Sequence, residues 1–195
     1  VTSFDDVVAF HGHTCPGLAL GYRVGEYVIK NFSPRAEDEE LVAIVENDSC
    51  AVDAIQVLTG CTFGKGNLIF RDYGKQVYTF LKRPKGEGIR ISIKWESPPE
   101  GPEERNAWRR YQNGDRSDEV VRIVHSRKAK KLEAIFKASD EELFDIRDVR
   151  MKIPEVARIS PSLRCQSCSE KVMEAKARVR NRKIVCIPCA EENKL

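Results

Sequence analysis

The sequence predicts an α+β protein, with an antiparallel or mixed sheet packed with helices and a small C-terminal four-cysteine zinc-finger domain. Three observations carry this. Helix-period and strand-period segments are mixed, with several strand-like runs in succession mid-chain instead of a strict strand–helix alternation. Cys165, Cys168, Cys186 and Cys189 stand at C-x2-C-x17-C-x2-C, the spacing of a zinc site built from four thiolates. A stretch with two prolines, residues 153–163, marks a linker between the two parts. The expected organisation is therefore a core domain over 1–152, a linker over 153–163 and a zinc-finger domain over 164–195.

Taken in order, Pro16 starts a helix whose residues Leu18, Leu20, Val24, Tyr27, Val28 and Phe32 form one apolar stripe. Gly21 and Gly25, four apart on that helix, let a second backbone approach closely. Leu41–Val45 is a continuous apolar run and reads as a buried strand that delivers Cys50 beyond its end. Ala51–Leu58 reads as a short helix closed by Thr59-Gly60. Three alternating segments, Asn67–Tyr73, Gln76–Leu81 and Ile89–Trp95, suggest an antiparallel meander. Helices are expected over Glu103–Gln112 and Ser117–Lys137, then a final strand from Phe144 to Met151. In the tail, Arg180-Asn181-Arg182-Lys183 is the expected hairpin turn, and Ala190–Leu195 suits a helical turn.

Composition narrows the function classes. A hydrophobic fraction of 41% is too high for a disordered chain, and no apolar run reaches transmembrane length. Val1–Asp6 carries neither a basic nor an apolar signal region, so a cytoplasmic location is the expectation. Residues 164–195 hold eight Lys and Arg against four Glu, while the whole chain nets +3. The positive excess thus sits in the tail. That tail has no Phe, Tyr or Trp, so it lacks the stacking groups of a single-strand binder, and nucleic-acid binding is not the expected role. Arg127–Lys131 reads as a solvated helix face and His125 as an exposed or structural histidine.

The remaining cysteines, Cys15, Cys50 and Cys61, share turn-rich segments with His11 and His13. Soft and borderline ligands beside turns suit a transition-metal or thiolate site. Histidines at i and i+2 of an extended stretch face one side and can approach one metal. The competing reading makes Cys50 and Cys61 small core residues.

The segments FHGHTCPGLALGYR, VENDSCAVDAIQVLTGCTFGKGNL and ELFDIRDV, followed by the linker and the four-cysteine tail, resemble the FmdE family associated with formylmethanofuran dehydrogenase. The tail is similar to zinc fingers of the DksA/TraR type. The resemblance implies an α+β core, commonly dimeric, around a cleft that can hold a metal, and it implies a place in one-carbon metabolism. Carried to this sequence, it points to His11, His13, Cys15, Cys50 and Cys61, with Asp53 and Gln56 beside them. Two functional readings follow. In the first, the core acts on a small molecule: His11, His13, Cys15 and Cys61 ligate a second transition-metal ion, and Cys50, Cys61 and His13 supply the chemistry. Cys50 would gain thiolate character from the N-terminus of the helix that follows it. In the second, the protein is a non-catalytic metal-binding accessory whose basic zinc finger docks a protein partner or, as the less favoured option, nucleic acid.

Overall fold

The computed structural model describes residues 2–156 and 160–191, and its chain divides into two compact units, Val1–Val156 and Ala157–Leu195. The larger unit opens with α1 (Phe4–His11), α2 (Pro16–Asn31), β1 (Leu41–Val45), α3 (Ala51–Thr59) and β2 (Leu68–Phe70). It continues through β3 (Val77–Lys82), β4 (Glu87–Ile93), α4 (Pro102–Gln112), α5 (Asp118–Lys137), α6 (Asp140–Leu143) and β5 (Phe144–Arg150). This is the α+β architecture that the sequence predicts.

The five strands form one mixed sheet in the order β2-β1-β3-β4-β5. Pairs β1–β3, β3–β4 and β4–β5 are antiparallel, whereas β1 and β2 run parallel with Ala43 opposite Leu68. The expected meander is therefore corrected at its first strand, because β1 lies between β2 and β3. The reason is visible in burial: every residue of β1 is buried, as a strand flanked on both sides and covered on both faces must be. Only Leu68–Phe70 of the expected 67–73 strand pairs, at the sheet edge.

One sheet face, with Ala43, Val45, Tyr78, Phe80, Ile89 and Ile91, packs against α2, α3 and the Ile135 region of α5. α2 meets α3 where Gly21 faces Ala51; a Cβ at Gly21 would press into the Ala51 backbone. Gly25 likewise makes room for Leu58. α1 is an element that the sequence pattern does not announce. Ser3 caps it in a reciprocal capping box with Asp6, and Phe4 packs edge-on against Tyr22 and Phe136. On α5, Arg127 and Lys131 both engage Glu100, at 2.8 and 2.6 Å, so the basic run is largely tied down by ion pairs. His125 is exposed.

The smaller unit holds β6 (Ser162–Arg164), β7 (Lys171–Met173), β8 (Arg178–Arg180), β9 (Lys183–Val185) and α7 (Ile187–Ala190). The β8–β9 turn is Asn181-Arg182, both with positive φ, the geometry that matches hairpin twist. The helical turn comes earlier than the expected 190–195 span, and residues 192–195 lie outside the described residues. So do residues 157–159 of the expected linker.

Candidate metal centre and adjoining cleft

Three helix ends converge on one point of the larger unit. Cys15 is the N-cap of α2; its Sγ accepts the Leu18 N–H at 3.3 Å. Cys50 stands at the N-terminus of α3, where it is delivered by an Asx turn: Asn47 Oδ1 accepts the Ser49 N–H at 3.0 Å and the Ser49 hydroxyl at 2.6 Å. Asn47 is itself buried and donates to the Lys75 carbonyl. α1 ends on His11, and Gly12 at φ 95° reverses the chain there. That left-handed turn, which glycine adopts without steric cost, brings His13 back toward His11, with ring centroids 4.5 Å apart. The pair comes together through a helix end and a turn, which corrects the extended stretch expected from the i, i+2 spacing.

The ligating atoms of His11, His13, Cys15 and Cys50 all lie within 4.8 Å of one another. Donors around a tetrahedral zinc ion stand roughly 3.3–3.8 Å apart, given bonds of about 2.0–2.3 Å, so closure onto an ion requires only small side-chain adjustments. His13 is the exposed member of the four.

His11 shows the most specific geometry. Its Nδ1 lies 2.7 Å from Asp53 Oδ2, and its side chain is only 11% exposed. A carboxylate partner fixes the proton on Nδ1, leaving the lone pair on Nε2. That Nε2 is buried and has no hydrogen-bond partner. Asp53 lies on α3 one turn from Cys50, and its Oδ1 faces Gln56 Nε2 at 3.5 Å. Gln56 Oε1 in turn accepts the Phe63 N–H at 3.2 Å. A continuous relay thus joins His11, Asp53, Gln56 and the loop that carries Phe63.

Burial, together with the adjacent Cys15 sulfur, pushes the Cys50 thiol above its ordinary value. Desolvation beside a second thiol thus works against the thiolate stabilisation expected from the helix N-terminus. Cys61 sits elsewhere. It is fully buried in the main core, its Sγ donates to the Leu41 carbonyl at 3.4 Å, and burial pushes its thiol up to about 11.

Beside the four-residue cluster lies a cavity of about 350 Å³, bordered by His11, Cys50, Asp53 and Gln56 and by the C-terminal ends of β1 and β2 at Val45 and Phe70. Ligand crevices in open α/β sheets form at such carboxyl ends of parallel strands. Phe63 and Phe70 border it while 78% and 46% exposed. Sequence reasoning misses these aromatic walls. A lone Phe inside the Gly-rich turn Gly60–Gly66 is the available signal.

In the tail, the sulfurs of Cys165, Cys168, Cys186 and Cys189 also lie within 4.8 Å of one another. Cys165 Sγ accepts N–H groups from Cys186 at 3.3 Å and Ser167 at 3.4 Å. Backbone N–H groups of Cys168 and Cys186 lower its pKa to about 6, as suits a thiolate metal ligand.

A family model described as FmdE, from the molybdenum formylmethanofuran dehydrogenase operon, matches residues 10–145. The chain belongs to the FmdE family. A second model, the prokaryotic dksA/traR C4-type zinc finger, matches residues 158–194, so the FmdE core is followed by a four-cysteine zinc finger. A curated protein of Archaeoglobus fulgidus, a "Probable S-adenosyl-L-methionine-binding protein", is 29% identical over 198 residues, covering 93% of this chain and 50% of its own. The chain therefore spans about half the length of that curated relative. A crystal structure of an FmdE-like protein of tungsten formylmethanofuran dehydrogenase from Syntrophus aciditrophicus aligns with a TM-score of 0.64 at 23% identity. The alignment covers 100% of this chain and 95% of that one, and the two share the fold.

Proposed function

We propose that the FmdE core binds one transition-metal ion through His11, His13, Cys15 and Cys50 and presents it to a small one-carbon-bearing molecule in the adjoining cleft. The zinc finger is a separate structural site. The observation that carries this reading is the buried, unpartnered Nε2 of His11, whose ring is held from behind by Asp53. A core histidine with a purely structural role hydrogen-bonds both nitrogens, since an unsatisfied buried group costs about 1–3 kcal/mol. A metal ligand donates one nitrogen to the ion and the other N–H to a carboxylate, and His11 has its Nδ1 on Asp53 with Nε2 left for a ligand. Mixed imidazole and thiolate donors suit zinc and its neighbours.

When bound, the ion supplies Lewis acidity to a ligand in the cleft. Asp53 fixes the His11 tautomer, and Asn47 and Ser49 fix the start of α3. Gln56 ties the ring-bearing loop to the same carboxylate. Cys61 has no place in this chemistry, since it is enclosed in the core. The accessory reading has one observation in its favour: four converging donors fill a tetrahedral shell, the mark of a closed site.

Cobalt loading of the Cys165→Ser/Cys168→Ser chain separates these outcomes. The core site is expected to give tetrahedral cobalt bands with a sulfur-to-cobalt charge-transfer band that Cys50→Ser diminishes and His11→Ala shifts. Added imidazole changing the spectrum marks a displaceable position and supports action on a ligand; an unchanged spectrum marks a closed site. No cobalt spectrum at all contradicts the metal site.

A further inference from the structure

The cleft beside the metal cluster has a charge and a shape that select its occupant. Its border includes the carboxylates of Asp48 and Asp53, and among the described residues no lysine or arginine borders it. Asp48 is exposed and makes no hydrogen bond or ion pair among the described residues. A divalent ion held by two thiolates and two neutral imidazoles adds no net charge, so the cleft keeps the two negative charges of its carboxylates. Its walls are apolar, with Val45, Val52 and Leu68 behind and the exposed rings of Phe63 and Phe70 at the margin. Large rings standing in water beside a concave apolar surface gain by being covered, and a flat ring covers them best.

We infer that the cleft takes a flat nitrogen heterocycle, neutral or cationic, whose N–H groups donate to Asp48 and whose face lies against Phe63 and Phe70, and that it rejects anions. This rests on the reading of the cleft as a ligand site and names the class of carrier to which a one-carbon unit would be attached. A phosphate- or carboxylate-rich molecule would meet two like charges with no cation to offset them, and like-charge juxtaposition without screening costs affinity.

The test is calorimetric titration of the zinc-loaded full chain with adenosine, 6-methylpterin and adenosine 5′-monophosphate. At least one of the two neutral rings is expected to bind, with the monophosphate weaker than adenosine by about tenfold or more, equivalent to about 1.4 kcal/mol. Phe63→Ala is expected to weaken the neutral ring by about tenfold while leaving metal content unchanged, and Asp48→Asn to narrow the gap to the monophosphate. The same titration on Cys15→Ser, whose altered side chain lies in the metal cluster and does not border the cleft, separates the two claims. Ring binding that survives there supports the cleft even where the metal is lost. Tighter or equal binding of the monophosphate, or no binding of either neutral ring by the wild-type chain, overturns the inference.

Discussion

Asp53 holds the His11 ring from behind at 2.7 Å, so its removal is expected to act through orientation and not through a lost ligand. Asp53→Ala should lower core metal affinity by about 10–100-fold with the fold intact, as read by competition with a chromogenic chelator. Wild-type affinity in that variant would remove the carboxylate from the account. Cys61 supplies the contrasting case. Enclosed in the core, it is expected to resist alkylation in the folded, metal-stripped protein while Cys15 and Cys50 react. Its pKa is raised, so its contribution to stability is complete below the ordinary thiol value near 9 and is lost as pH climbs through about 11. Peptide mapping after iodoacetamide treatment at increasing pH checks both statements. Sequence alone brings His11, His13, Cys15, Cys50 and Cys61 forward together, and its expected ligand set takes Cys61 where the structure gathers Cys50. It cannot separate Cys61 from the others, because a thiol beside Thr59-Gly60 looks alike whether the following loop faces a cleft or the core.

At the scale of elements, the site depends on how closely α2 and α3 approach, since Cys15 and Cys50 stand at their N-terminal ends. Gly21→Ala places a methyl group against the Ala51 backbone. Overpacking of this kind costs roughly 1–3 kcal/mol, and backbone is less able to yield than side chains. Urea unfolding should therefore show a lower midpoint, and core metal content should fall because the two cysteines are pushed apart. An unaltered midpoint would mean that the helices are free to shift. The close approach is legible in the four-residue glycine spacing, and β1 in its unbroken apolar run. The parallel pairing of β1 with β2 is not legible. A three-residue edge strand carries too little alternation to reveal its partner, and adjacency in sequence favours the meander. α1 escapes notice because its signature, Ser3 with Asp6 before Val7, is short and lies next to a histidine pair that reads more readily as loop.

The whole molecule joins a sheet-based unit with a large apolar core to a tail whose buried centre is little more than Cys165, Cys186 and Val185. A segment of that size cannot fold on apolar burial alone, so a metal held by its four cysteines would supply most of its stability. The larger unit has an extensive apolar core of its own, so in the proposed reading an ion at the His11 cluster would act on the cleft and not as the main source of stability. Both four-residue clusters are legible in outline from spacing and composition. Only tertiary structure shows that the core cluster takes Cys50 as its fourth member and that one of its imidazoles, His11, is held by the Asp53–Gln56 relay. Elemental analysis of the full chain beside the Cys165→Ser/Cys168→Ser variant tests the central claim most directly. The account predicts about two ions per wild-type chain and about one in the variant, with that one lost when Cys50→Ser is added. About one ion in the wild-type chain and none in the variant would contradict it, leaving the tail as the sole metal site and the His11 cluster without an ion.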